Sequence, residues 1–130
     1  MFALSVVGHP SPRSFSHANW WSMPPALLKG WIDRVFVPDV AYRDAPIGLP
    51  PIGLLKARAL VFNTGDTPPD RELAVFGDPM QRIWETGVFG FCGVTSVTRR
   101  MYGPVTSSSA TQRTIWLDEV AALVTAEATR

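Results

Sequence analysis

One cysteine, Cys92, and two histidines, His9 and His17, are all that 130 residues offer of those two side-chain types. A lone thiol excludes an intrachain disulfide and a four-cysteine zinc site. Two imidazoles leave a histidine-built metal centre short of ligands, so no metal site is expected. Charge of either sign is scarce as well: Lys+Arg 12 against Asp+Glu 11 leaves a net +1. That balance gives no basis for contact with nucleic acid or an anionic membrane surface. No apolar run reaches the ~20 residues of a membrane span, so no membrane insertion is expected. Met1-Phe2-Ala3-Leu4-Ser5-Val6-Val7-Gly8 has no basic stretch before it and is interrupted by His9-Pro10. It reads as a strand and not as a targeting peptide, and the cytoplasm is the expected location. Neither an internal repeat nor a linker divides the chain, so residues 1–130 are read as one domain.

What the chain does have is apolar material, 46% hydrophobic against 18% charged, an ordinary globular balance. Phe2–Val7 has the pattern of a buried parallel strand ended by Gly8. A polar, Pro-containing loop, His9 to Ser16, follows, and Ser14 to Met23 has room for a turn or two of helix. Pro24 and Pro25 stop any longer helix there. Ser22 is placed to cap a new helix with Pro in its first turn. Leu28, Trp31, Ile32, Val35 and Phe36 then recur on one helical face. Gly30 in that helix costs about 1 kcal/mol relative to Ala, which suggests a close neighbour.

Val40 to Lys56 shows no clear period. Arg58–Asn63 is a second buried strand, with Thr64-Gly65-Asp66-Thr67 as the loop after it. Pro79 to Phe89 is read as helix, Val94 to Arg99 as a third strand, and Ala110 to Ala128 as a final helix with Ile115, Val120, Ala121 and Val124 on its apolar stripe. Alternating strands and helices predict an α/β fold with a mostly parallel sheet of about three strands. Ligand sites in such sheets lie at the carboxyl ends of the strands, where both polar loops would open.

The run Asn19-Trp20-Trp21-Ser22-Met23-Pro24-Pro25-Ala26-Leu27-Leu28-Lys29-Gly30-Trp31-Ile32-Asp33-Arg34-Val35-Phe36 carries the most chemistry. Planar aromatics on a loop at a helix start can lie against a flat ligand, with stacking adding roughly 0.5–1.5 kcal/mol beyond burial. Two adjacent Trp residues cannot bury alike, so either both belong to the core in part or one faces a cleft. Trp31 suits a core or a subunit interface. Cys92 suits a small buried apolar position, and Arg99-Arg100 a solvated pair.

This run resembles the signature W-W-x-x-P-A-x-L-K-G-W-x-D-R-V-F of flavin-dependent NAD(P)H:quinone oxidoreductases of flavodoxin-like fold. Val7 to Ala18 is similar to that family's first loop, Asn63-Thr64-Gly65-Asp66 to its T-T-G-G loop, and Phe91-Cys92-Gly93 to the F-C-G before its last strand. The resemblance implies a shortened flavodoxin-like three-layer fold. It implies FMN or FAD as cofactor, NAD(P)H as hydride donor, a quinone-like small-molecule acceptor and a homodimer. His9, Ser14, Phe15 and Ser16 would hold the flavin phosphate. Asn19, Trp20, Trp21 and Ser22, with Asn63, Thr64, Gly65 and Asp66, would hold the ring. No catalytic residue is implied: the Tyr and His that assist the better-known members have no counterparts after Asp66.

The resemblance breaks at one place. In the family two crossover units separate the first loop from the Trp pair, whereas here Ala18 abuts Asn19. The pattern shows no strand ending just before the Trp pair. An internal deletion between Ala18 and Asn19 is therefore expected, with either the strand Phe2–Val7 pairing near Leu60 in a rearranged three-stranded sheet or a sheet edge completed by another chain. A non-catalytic remnant or interaction module that has lost its flavin is the alternative to an enzyme.

Overall fold

The computed structural model describes residues 13–129. The expected strand Phe2–Val7 and His9 lie outside the described residues.

Strand β1 is Arg13–Ala18, in which Phe15 and His17 are buried while Ser14 and Ser16 are exposed. That alternation is the period of a pleated strand with two unlike faces. It corrects two expectations at once. Ser14, Phe15 and Ser16 belong to a strand and not to a polar loop, and no helix lies between Ser14 and Met23. Reading the hydroxyls as loop chemistry hid the alternation. The strand expected to be missing before the Trp pair is thus present, built from residues assigned to the loop.

β4 (Arg58–Thr64) is the central strand, with Ala59 to Asn63 buried in succession. It pairs in parallel with β1, from Arg13↔Ala59 to Ala18↔Thr64, and with β5 (Ser96–Tyr102), from Arg58↔Ser96 to Thr64↔Tyr102. The sheet order is β1-β4-β5. A run buried on both faces is what helical layers above and below a parallel sheet require.

One layer holds α1 (Ala26–Val35), whose Leu28 and Ile32 pack with Phe15, Ala59 and Val61 of the sheet. Trp31 and Phe36 flank that core, as the helical face predicts. Two details of α1 differ from expectation. The helix starts after Pro25 with no side-chain cap, so Ser22 is not its N-cap. A Cβ on Gly30 would meet nothing within 4 Å. The same layer holds α3 (Pro79–Arg82), continued by a π-helical stretch, Ile83–Gly90, that buries Trp84 and Phe89.

The opposite layer is α4 (Ala110–Ala128), capped by Ser109, whose Oγ accepts the Gln112 N–H at 3.0 Å. Its apolar stripe is Trp116, Val120 and Leu123, set on Leu60, Phe62 and Tyr102. Ile115 and Val124 turn outward, 55% and 37% exposed. The stripe is rotated because the Trp116 ring seats beside Tyr102, centroids 5.8 Å apart.

Three elements have no counterpart in the pattern. β2 (Tyr42–Arg43) and β3 (Ile52–Gly53) form an antiparallel pair too short to show a period. α2 (Pro69–Phe76) begins with Pro and ends at Gly77 in the left-handed region, φ 71°. Among the described residues no helix is long and apolar enough to cross a membrane.

Candidate functional site at the carboxyl edge of the sheet

β1, β4 and β5 end at Ala18, Thr64 and Tyr102, side by side, so the three following loops share one edge. Backbone hydrogen bonds fasten these loops together. Asn19 N donates to Thr64 O at 2.7 Å, Gly65 N to Tyr102 O at 3.1 Å, and Val105 N to Gly65 O at 3.0 Å. A Cβ on Gly103 would run into the Gly65 carbonyl, so only glycine lets the third loop approach this closely. The Thr106 backbone N–H and hydroxyl donate to Asp66 Oδ1 at 2.8 and 3.0 Å. Both bonds favour the carboxylate and hold the Asp66 pKa below its ordinary value.

The Trp pair forms a tight turn. Trp20 and Met23 exchange two backbone hydrogen bonds, each 3.0 Å, around Trp21 and Ser22. Both turn residues are left-handed, φ 52° and 57°. Trp20 and Trp21 therefore stand out from the protein, 62% and 92% exposed. Beneath them the Glu72 carboxylate of α2 is buried, and its Oε1 accepts from Ser22 Oγ at 2.7 Å and from Asn19 Nδ2 at 3.3 Å. Asn19 Oδ1 is buried with no hydrogen-bond partner among the described residues.

A buried polar chain runs under this edge. Arg99 Nε donates to Asn63 Oδ1 at 2.5 Å, and Asn63 Nδ2 donates to His17 Nε2 at 2.7 Å. Trp84 Nε1 donates to the same His17 nitrogen at 2.9 Å, while His17 Nδ1 donates to Ala18 O at 2.9 Å. One nitrogen accepting and the other donating makes this imidazole neutral. Burial lowers its pKa, the bond to Ala18 O opposes that, and the Arg99 charge adds to the lowering. Arg99 also reaches Asp78 Oδ2 at 2.7 Å and Gln81 Oε1 at 3.2 Å. Arg99 and Arg100 are consequently not a solvated pair. The first is buried at 4% side-chain exposure and only Arg100 is exposed, paired with Glu119 at 3.0 Å.

A cavity of about 510 Å³ lies along β1 and touches both helical layers, lined by Ser14, Phe15 and Ser16 of the strand, Leu28 and Trp31 of α1, and Trp116 of α4 among others. Asn19, Trp20, Trp21, Ser22, Thr64, Gly65 and Asp66 are thus brought to the loops of one edge. Asn63 is fully buried and held on its amide by Arg99 and His17, so it supports the edge and does not line it. Phe15 is core, its ring packed at a tilt against Trp31, Trp84 and Phe89. Ser14 and Ser16 open into the cavity from mid-strand. Cys92 is buried, and burial raises its thiol pKa, which leaves it inert as a nucleophile.

Glu72 and His17 escaped the sequence reading, which took Arg99 for a solvated residue. The alternation Ser14-Phe15-Ser16-His17 carried the signal for His17. Which of Asp70 and Glu72 turns inward depends on the phase of α2, for which the sequence offers no marker.

Exposed indoles beside a glycine loop, with an unsatisfied buried acceptor at Asn19, suit the ring of a flavin, which carries an N–H. Ser14, Phe15 and Ser16 do not form a phosphate loop, because they lie within β1. The ring side fits and the phosphate side is not built by these residues.

A parallel sheet between helical layers, with its loops gathered at the carboxyl edge, defines an open-sheet α/β protein. The model of the flavodoxin-like fold family matches residues 15–122, and the chain belongs to that family. Rat ribosyldihydronicotinamide dehydrogenase [quinone] is 36% identical over 109 residues, covering 79% of this chain and 46% of that protein. Two solved structures are similar. Smu.1420 from Streptococcus mutans has TM-score 0.77 and 27% identity, covering 88% of this chain and 59% of its own. The NAD(P)H:quinone oxidoreductase from Methanothermobacter marburgensis has TM-score 0.74 and 26% identity, covering 88% and 57%. The chain therefore spans about half the length of the relatives it matches.

Proposed function

We propose that this chain serves NAD(P)H-dependent reduction of quinones or similar acceptors, with a flavin, FMN or FAD, seated at the carboxyl edge. The relatives named as quinone-reducing enzymes support the reaction class. The observation that carries the reading is the exposed Trp20–Trp21 turn fastened beside Thr64-Gly65-Asp66.

Asn19, Trp20, Trp21, Ser22, Thr64, Gly65 and Asp66 would hold the ring side. A bound flavin supplies the capacity to accept and return a hydride; the protein supplies orientation and electrostatics. Trp20 and Trp21 offer exposed apolar planes, and Asn19 Oδ1 is an acceptor left without a hydrogen-bond partner among the described residues. The reading includes one domain over residues 1–130, a homodimer and a cytoplasmic place of action.

The test is a titration with FMN and with FAD, followed by flavin and Trp fluorescence, then oxidation of NADH or NADPH with a soluble quinone. Micromolar binding that is lost in Trp21→Ala is the expected result. Absence of binding at millimolar flavin overturns the reading. It would favour a second one, a flavodoxin-like interaction module without cofactor. That alternative draws on Ser14 and Ser16 lying within a strand and not in a phosphate loop.

A further inference from the structure

We propose that Glu72 is a positioning residue: its buried carboxylate clamps the strained Trp21–Ser22 turn and so presents the Trp21 indole to a planar aromatic ligand. The identity of the ligand rests on the function proposed above, whereas the clamp stands on the geometry alone.

Trp21 and Ser22 both have positive φ, 52° and 57°, and neither is glycine or asparagine. Two consecutive left-handed residues are the conformation that Asn-Gly favours in a two-residue turn, and side chains with a Cβ adopt it against steric resistance. Such a conformation persists only where the surroundings over-determine it. The backbone exchange between Trp20 and Met23 closes the turn but does not select its hand. The Ser22 hydroxyl does: it donates at 2.7 Å to Oε1 of the buried Glu72 carboxylate, a charge-assisted bond.

The same oxygen accepts from Asn19 at 3.3 Å, so one atom of α2 holds both ends of the Asn19–Ser22 segment. α2 itself follows directly from the Thr64–Pro68 loop, and Glu72 N donates to Pro68 O at 2.9 Å. Glu72 thereby sets the spacing of the two loops that would flank a ring. The Trp21 side chain, 92% exposed, makes little contact that would hold it in place. Its position is inherited from the turn.

The experiment replaces the five tryptophans with 5-fluorotryptophan and reads their ¹⁹F resonances, the Trp21 signal being assigned by Trp21→Phe. Glu72→Ala should shift the Trp20 and Trp21 signals and leave those of Trp84 and Trp116 in place. Glu72→Gln keeps an oxygen that accepts from Ser22 and should restore the native Trp21 signal. Ser22→Ala removes the same bond without touching the core, and should shift Trp21 as Glu72→Ala does. Should Glu72→Ala move all five signals through misfolding, Ser22→Ala decides. Glu72→Ala and Ser22→Ala should each weaken FMN binding about tenfold, with no further loss in the double variant. An unmoved Trp21 signal in Ser22→Ala overturns the clamp. If the unaltered protein binds no FMN, the functional reading fails, while the resonance shift still decides the role of Glu72.

Discussion

His17 Nε2 of β1 accepts the indole N–H of Trp84 at 2.9 Å, and their ring centroids lie 5.4 Å apart. This pair joins the sheet to the π-helical layer directly beneath the ligand edge. It works only with a neutral imidazole, because protonated Nε2 has no lone pair to offer Trp84 or Asn63.

The pH dependence of stability follows from that requirement. The folded pKa of His17 lies below its ordinary value, so on acidification the unfolded chain takes up a proton before the folded one does. Stability rises with pH wherever the unfolded state binds more protons. Stability should therefore be complete above about pH 6.5, the unfolded value, and fall as pH drops below it. Urea melts between pH 5 and 8 should show this slope, and His17→Phe should flatten it. An equal slope in His17→Phe would remove His17 from the explanation.

Arg99 is buried between Asp78 and Asn63, with side-chain exposures of 4% for Arg99 and 22% for Asp78. Arg99→Met should cost about 3–5 kcal/mol, because it strands a largely buried carboxylate and the Asn63 carbonyl oxygen. Arg99→Lys should rescue little of this, since an ammonium cannot serve Asn63, Gln81 and Asp78 in the geometry of a planar guanidinium. Denaturant melts of the two variants check both statements.

The tryptophans should separate stability from binding. Trp84 is wholly buried, and Trp84→Ala should cost about 3–5 kcal/mol. Trp31 is half-buried against Phe15 and Phe36, so Trp31→Ala should cost less, roughly 1–3 kcal/mol. Trp21→Ala should change stability by less than about 0.5 kcal/mol while abolishing flavin binding. Comparable destabilisation by Trp21→Ala would place that ring in the core and contradict its exposure.

Asp66 links the second loop to the third through Thr106. Its folded pKa is depressed, so its contribution to stability is present above the ordinary value of 3.8 and is lost as pH falls through the folded one. Asp66→Asn retains an acceptor oxygen but cannot titrate. Melts below pH 4 should be less pH-dependent in this variant than in the unaltered protein.

Local sequence determined much of the scaffold. The helical face Leu28/Trp31/Ile32/Val35/Phe36 and the apolar run Arg58–Asn63 were legible because each displays its period, and the helix Ala110–Ala128 was legible in extent though not in its buried face. The loop at Thr64–Asp66 was legible as the end of a strand, and the Trp20–Trp21 turn was singled out by its resemblance to a family motif. The tertiary structure decided the rest. The short alternation from Ser14 to His17 became a strand only by pairing with β4, and pairing partners are remote in sequence. The stripe of α4 was rotated by the seat that Tyr102 offers Trp116. Glu72, Asn63 and Arg99 acquired their roles from contacts 18 to 53 residues away along the chain, which no local pattern encodes. A buried polar group is satisfied by whichever side chain the packed layers bring within reach, and that is settled only once the layers have closed.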